Sequence, residues 1–370
     1  MLHGIVLGKA IWDVDVTYSK FWQPEKYGVS FSKVLFNPVD VVKIKKPGNY
    51  KFLVATDLWS VKTQNALEYA RKKLGLKIFF LPREAFGFFE QFLFHDERFL
   101  NNGKYYFTPD VIFAPGTLYR DTWVDKKISI YVTGHPRFDY CMYENWVSRK
   151  EALKKFGLSK KLKTIFFPAS TIFTVKNLNK DVTFKDWGKL YKDVHEEREM
   201  MLQTLLDFSK KRDDVQIAVK LHPMSSAALR KKGITKDIEG ILHKYLKKPA
   251  KDFVVIDGKN ETRKVARDIL HVCDYIIGDN STMMFEGAIA GKPVLRSLMG
   301  LSNNLLNYPG YDDIFVNTSG KEDTLLKLNE MVDNGDDFMM KCDDISKYLL
   351  KDTKSCERIC NVIKREMVNK

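Results

Sequence analysis

No run of this sequence approaches the roughly 20 apolar residues needed to cross a bilayer, so no membrane-spanning helix is expected. Cysteine is scarce. Cys141, Cys273, Cys342, Cys356 and Cys360 are odd in number and nowhere spaced Cys-x-x-Cys, which argues against a disulfide framework and a zinc ribbon and leaves reduced thiols. The start, Met1-Leu2-His3-Gly4, has no basic stretch ahead of an apolar one, so neither a signal peptide nor an anchor is expected and the location reads as cytoplasmic. The seven histidines are dispersed, and from this we expect no metal and no tightly bound cofactor. Low-complexity linkers and internal repeats are also lacking.

What is present is a globular composition with 44% hydrophobic and 29% charged residues, over a length of 370 that suits two domains of roughly 150 residues each. The formal net charge of +14 points to an anionic partner. The basic residues lie in scattered helical stretches such as Arg71-Lys72-Lys73, Lys210-Lys211-Arg212 and Arg230-Lys231-Lys232, with no interleaved aromatic platform. Nucleic acid is therefore not expected; solvated helix faces explain most of these residues, and phosphorylated substrates or peripheral docking at the inner, anionic face of a membrane are the partner readings left for the charge.

Short β-rich runs alternate with amphipathic helical stretches, the pattern of parallel sheets with crossover helices. Strands are predicted near 39–44, 52–56, 77–81, 111–114 and 129–133, and again near 164–168, 216–221, 253–256, 275–278, 294–296 and 314–316. Helices are predicted at 67–74, 147–156 and 191–211. The expected architecture is α/β, with two Rossmann-like doubly wound domains facing across a cleft. The expected division is residues 1–140 and 141–320, with the helices of 321–370 packing back on the first domain.

The stretch from Asp274 to Leu295 carries the most information: strand, hydroxyl-bearing turn, helix, glycine stop and strand again. Asn280 or Ser281 would cap the helix, whose first turn offers N–H groups at the positive end of its dipole, a setting that suits phosphate. Other predicted strands also end in polar residues: Gly134-His135-Pro136-Arg137-Phe138-Asp139, Ser170-Thr171, and Lys220-Leu221-His222-Pro223.

Together these segments resemble GT-B-type transferases of bacterial surface polysaccharide assembly, in particular the CDP-glycerol glycerophosphotransferase-like group and related surface-carbohydrate glycosyltransferases. The resemblance spans roughly residues 107–295. It implies that Gly134, Pro136, Arg137 and Asp139 lie at the joint between domains, and that His222-Pro223 and Ser281-Thr282 contact the donor nucleotide. The implied donor is a nucleotide-activated sugar, with cytidine nucleotides favoured, and the implied acceptor is a surface glycan or a lipid-linked hydroxyl. Ser170, Thr171, Lys220, Asn280 and Arg137 then have phosphate within chemical reach, and Glu286 a donor ribose hydroxyl. Equally open readings make Arg137 an ion-pair partner of Asp139 and Glu286 a solvated helix residue.

Transfer to a hydroxyl also wants a general base. Glu84, directly after a predicted strand, is the candidate, with His222 as the second catalytic group. The Trp-His-Gly-like motif of the glycerophosphotransferases is absent, which favours glycosyl transfer over polyol-phosphate transfer. Two alternatives stay open. Glu286-x-x-x-x-Gly291-Lys292-Pro293-Val294-Leu295 is similar to a segment of the UDP-N-acetylglucosamine 2-epimerases, and a non-catalytic nucleotide-sugar-binding module would keep the donor site without a base.

Overall fold

A computed structural model describes residues 1–8, 22–56, 58, 61–82, 107–122, 128–141, 148–169, 187–221, 238–256, 262–279, 281–299, 314–339, 345–350 and 352–368. The chain divides into two compact units, Met1–Met142 with Asn179–Phe184 and Cys342–Lys370, and Tyr143–Leu178 with Lys185–Lys341. In chain order the first unit holds β1 (Leu2–Leu7), β2 (Val29–Leu35), α1 (Pro38–Val42), β3 (Tyr50–Ala55), α2 (Val61–Lys72), β4 (Lys77–Phe80), β5 (Val111–Ala114), α3 (Thr117–Thr122), β6 (Ser129–Val132) and α4 (Pro136–Cys141). The second holds α5 (Arg149–Phe156), β7 (Lys163–Pro168), α6 (Trp187–Lys211), β8 (Val215–Lys220), α7 (Ile238–Lys247), β9 (Phe253–Ile256), α8 (Thr262–Val272), β10 (Tyr275–Gly278), α9 (Thr282–Ile289), β11 (Val294–Leu298), β12 (Val316–Ser319) and α10 (Lys321–Asp333). Then α11 (Ile345–Tyr348) and α12 (Ser355–Val368) return to the first unit.

Each unit is built on one six-stranded parallel sheet, ordered β2-β1-β3-β4-β5-β6 in the first and β12-β11-β10-β7-β8-β9 in the second. On one face of the first sheet, Val41 of α1 and Ala66, Leu67 and Ala70 of α2 join the core around Ile5, Leu53 and Ile78. The opposite face carries a row of rings in which Phe52 meets Phe79 edge-on at 5.7 Å and Phe79 stacks on Phe113 at 5.5 Å. Helix α12 closes that face with Cys356, Ile359, Cys360 and Ile363. In the second unit β8, β9 and β10 are buried along their whole length, as parallel strands covered on both sides must be.

The predicted strand at 39–44 is instead helical. Asn37 accepts the Val39 N–H at 3.1 Å and Pro38 takes the first helical position, so the start signal outweighs the β-branched run. The last strand lies at Val316–Ser319 rather than 314–316. Neither β1 nor β2 was read from the sequence.

Helix α9 lies unusually close to β10. A Cβ on Gly287 would come within 1.9 Å of Ile276 Cδ1, so only glycine lets the helix rest on the strand. We expect Gly287→Ala to destabilise the second unit by about 1–3 kcal/mol in denaturant unfolding, because both residues are fully packed. Adding Ile276→Val, which deletes the colliding methyl, should restore part of that loss, and strictly additive effects would contradict the close approach.

Candidate functional site

The strand order fixes where the second unit can do chemistry. Reading β12-β11-β10-β7-β8-β9 by connection, the chain runs one way from β7 to β9 and then reverses to place β10 on the other side of β7. Ligands of doubly wound sheets bind outside the carboxyl ends of the strands at such a switch point, here between β7 and β10. From β10 the chain passes through Asp279 to Ser281, which caps α9. The Ser281 hydroxyl accepts the Met283 N–H at 3.3 Å, and the Ser281 carbonyl accepts the Met284 N–H at 2.9 Å. The hydroxyl is thereby committed as an acceptor to its own helix while keeping its O–H for donation. Thr282 opens the first turn, at the positive end of the helix dipole.

Two guanidinium groups hold the residue that leads into this turn. Arg198 of α6 reaches the Asp279 carboxylate at 3.4 Å, and Arg296 of β11 reaches the Asp279 carbonyl at 3.3 Å while also donating to Asn317 at 3.3 Å. Arg296 is fully buried, and a buried charge persists only where partners surround it. Lys220 ends β8, also buried, with its ammonium on the Leu221 carbonyl at 3.1 Å. Two strand spacings separate the ends of β8 and β10, roughly 10 Å. Glu286, one turn into α9, is buried and so is not the solvated helix residue that its position also allowed.

In the first unit, the Gly134–Asp139 segment grips the C-terminal helix. Both Asp139 oxygens are engaged by Ser355 at the start of α12, one by its N–H at 3.0 Å and the other by its hydroxyl at 2.9 Å. Asp139 is therefore the partner of Ser355, and a pairing with Arg137 does not describe it. Gly134 sits at φ 74°, where L side chains are strained, and a Cβ there would lie 2.5 Å from Ser355 Oγ. Arg358 of the same helix donates to the Thr133 carbonyl at 2.8 Å. His135 accepts the Arg137 backbone N–H at Nδ1, 3.1 Å, which leaves Nε2 to donate to the Pro82 carbonyl at 2.8 Å.

Of the residues singled out in the sequence, Ser281, Thr282 and Glu286 share one helix and its cap, Lys220 ends a nearby strand, and Arg137 lies in the other unit. Glu84, Ser170, Thr171, His222 and Asn280 lie outside the described residues. The sequence reading missed Arg198 and gave Arg296 no role, although an arginine inside the apolar strand Val294-Leu295-Arg296-Ser297-Leu298 is a visible signal of a buried polar network. It also missed Asp13-Val14-Asp15, an acidic spacing capable of holding a divalent cation, which lies outside the described residues. Among the described residues no cluster of acidic, histidine or cysteine side chains is arranged to hold a metal.

No protein-family model matches the chain, and no curated protein matches it by sequence. Solved structures do. The wall teichoic acid polymerase TagF is similar over 100% of this chain and 89% of its own, at 13% identity and a TM-score of 0.54. S. aureus MnaA, solved with UDP, covers 100% of this chain and 97% of its own at 12% identity, with a TM-score of 0.61. The UDP-GlcNAc 2-epimerase from Methanocaldococcus jannaschii covers 99% and 100% at 14% identity, with a TM-score of 0.59. At these identities the likeness is one of fold, and the fold is the two-unit α/β architecture of the GT-B type.

Burial pushes the Asp139 carboxyl up to about 6 from 3.8, outweighing the Ser355 bonds that favour its charge. The folded chain thus holds a proton that the unfolded chain releases. Its stabilising contribution is complete below about 3.8 and is lost as pH rises through about 6. Asp139→Asn should gain on the wild type by on the order of 2 kcal/mol in unfolding free energy between about pH 4 and about pH 7, measured in denaturant. A difference that stays flat with pH would contradict a protonated Asp139.

Proposed function

We propose that the chain is a sugar-nucleotide-dependent glycosyltransferase that moves a sugar from a nucleotide-activated donor, cytidine nucleotides favoured, to a hydroxyl of a surface-glycan or lipid-linked acceptor. The observation that carries this reading is the coincidence of the β7/β10 switch point with the capped, hydroxyl-bearing start of α9. Similar folds are seen with nucleotides: one TagF structure followed a CDPG soak, and MnaA was solved with UDP.

In this reading the donor phosphate lies against the first turn of α9, with Thr282 and the Ser281 O–H as donors and Lys220 as a nearby positive charge. Arg198 and Arg296 are positioning residues that hold Asp279 and hence the turn. The acceptor oxygen attacks the anomeric carbon, the carbon–phosphate-oxygen bond breaks, and the phosphate leaves with the bonding pair. Charge growing on that phosphate is what the helix dipole and the hydroxyl donors stabilise. The acceptor proton passes to a base in the first unit, for which Glu84 is the candidate, and His222 donates to the departing phosphate. Ser170, Thr171, Asn280 and Arg137 are assigned to donor phosphate and Glu286 to donor ribose. No tightly bound metal or cofactor is assigned.

A second reading, a UDP-N-acetylglucosamine 2-epimerase-like enzyme, is favoured by the Glu286 to Leu295 segment and by the epimerase-like structures above. A third reading is polyol-phosphate transfer of the CDP-glycerol type. Donor turnover separates them, because an epimerase releases an isomerised sugar nucleotide without needing an acceptor.

Ser281→Gly with Thr282→Val removes the hydroxyl donors while keeping a tolerable cap, at a cost of a few tenths of a kcal/mol for the serine. Nucleotide affinity should fall about 10- to 100-fold by calorimetry, the size expected for lost hydrogen bonds to a charged group. Unchanged affinity in the folded double variant would remove the turn from the donor site.

A further inference from the structure

Among the described residues, four of the nine large apolar side chains that stand exposed fall in one short part of the first unit: Phe36 at 49%, Val39 and Val42 at 47% each, and Val61 at 45%. The other five are spread over the chain at Met1, Met200, Leu326, Met339 and Val368. The cluster has a simple origin. Helix α1 buries Val41 and the following Ile44 in the core and turns Val39 and Val42, one turn apart, the other way. Phe36 stands just before the Asn37 cap, and Val61 opens α2, which packs beside α1.

The charge around this apolar group is one-sided. Between Leu35 and Tyr50 the sequence holds Lys43, Lys45 and Lys46 against a single acid, Asp40. All three lysines are exposed, as is Lys62 on α2. Asp40 is already engaged, 2.9 Å from the Lys43 ammonium.

We propose that this α1 face is where the protein docks on a bilayer rich in anionic lipid, with Phe36, Val39 and Val42 entering the headgroup boundary and Lys43, Lys45, Lys46 and Lys62 pairing with lipid phosphates. The inference rests on the lipid-side acceptor proposed above and is independent of the donor chemistry. A bilayer suits the face better than a second copy of the chain. The exposed area of four side chains is a few hundred Å² at most, short of the about 800 Å² per partner that a stable protein interface buries. Shallow insertion of a small apolar group backed by lysines needs far less, since each lysine near an anionic leaflet contributes about fivefold in partitioning.

The test is co-sedimentation of the full chain with vesicles of phosphatidylcholine alone or with phosphatidylglycerol, at low and high salt. The wild type should pellet with the anionic vesicles at low salt, stay in the supernatant with the neutral ones, and be released by salt. Lys43→Glu/Lys45→Glu/Lys46→Glu should lower partitioning by more than about a hundredfold, and Phe36→Ser/Val39→Ser/Val42→Ser should lower it by at least about tenfold. Both variants should keep the wild-type thermal midpoint and nucleotide affinity, so failure of the donor reading would appear separately. Wild type left in the supernatant under every condition would overturn the proposal. So would either variant binding like the wild type, or a wild-type dimer in sedimentation velocity that these variants dissolve without vesicles present.

Discussion

Parallel strands covered on both faces leave a chain only one place for working polar side chains, the loops beyond the carboxyl ends of the strands. The second sheet obeys this constraint closely. Its central strands are buried and largely apolar, the buried Gln216–Thr164 pair at their starts aside, and Lys220 and Asp279 stand at the carboxyl ends of β8 and β10. Strand order reverses between β7 and β10, and it is at such a switch point that doubly wound sheets bind their ligands. Everything proposed for the donor follows from that geometry and from the short helix that starts there.

Holding such a turn still has costs, and the molecule meets them with buried charge. Arg296 gives up all contact with water to hold the Asp279 carbonyl, while Arg198 reaches the carboxylate of the same residue. Burying a guanidinium is unfavourable without good partners, so its placement against Asp279, two residues before the cap, points to a demand for order there. In the first unit the same logic acts on architecture. Asp139 and Gly134 receive the start of α12, and that helix covers the aromatic face of the sheet from across more than two hundred residues of sequence.

Legibility in the sequence followed the same physics. Strands of the second sheet were readable because double-sided burial makes them short, apolar and sharply bounded, and the Ser281 cap was readable because its chemistry is local. Helix α1 was misread since Val39, Val41 and Val42 mimic a strand, although the Asn37-Pro38 start signal was present. Strand β2 escaped notice because Ser30, Ser32 and Lys33 break its apolar pattern. Long-range pairs were beyond reach: nothing local links Asp139 to Ser355 or Asp279 to Arg198. The Gly134–Asp139 motif stood out for a joint between domains, and in the structure Gly134 and Asp139 anchor the start of α12.

The central claim is that nucleotide binds at the start of α9. Hydrogen exchange of the full chain with and without saturating CMP, CDP or UDP tests it directly, because a phosphate seated there would slow exchange of the amides at Thr282, Met283 and Met284. The account predicts protection concentrated at those amides and at the end of β8 with at least one of these nucleotides. Tight binding that leaves the α9 turn unprotected would contradict it.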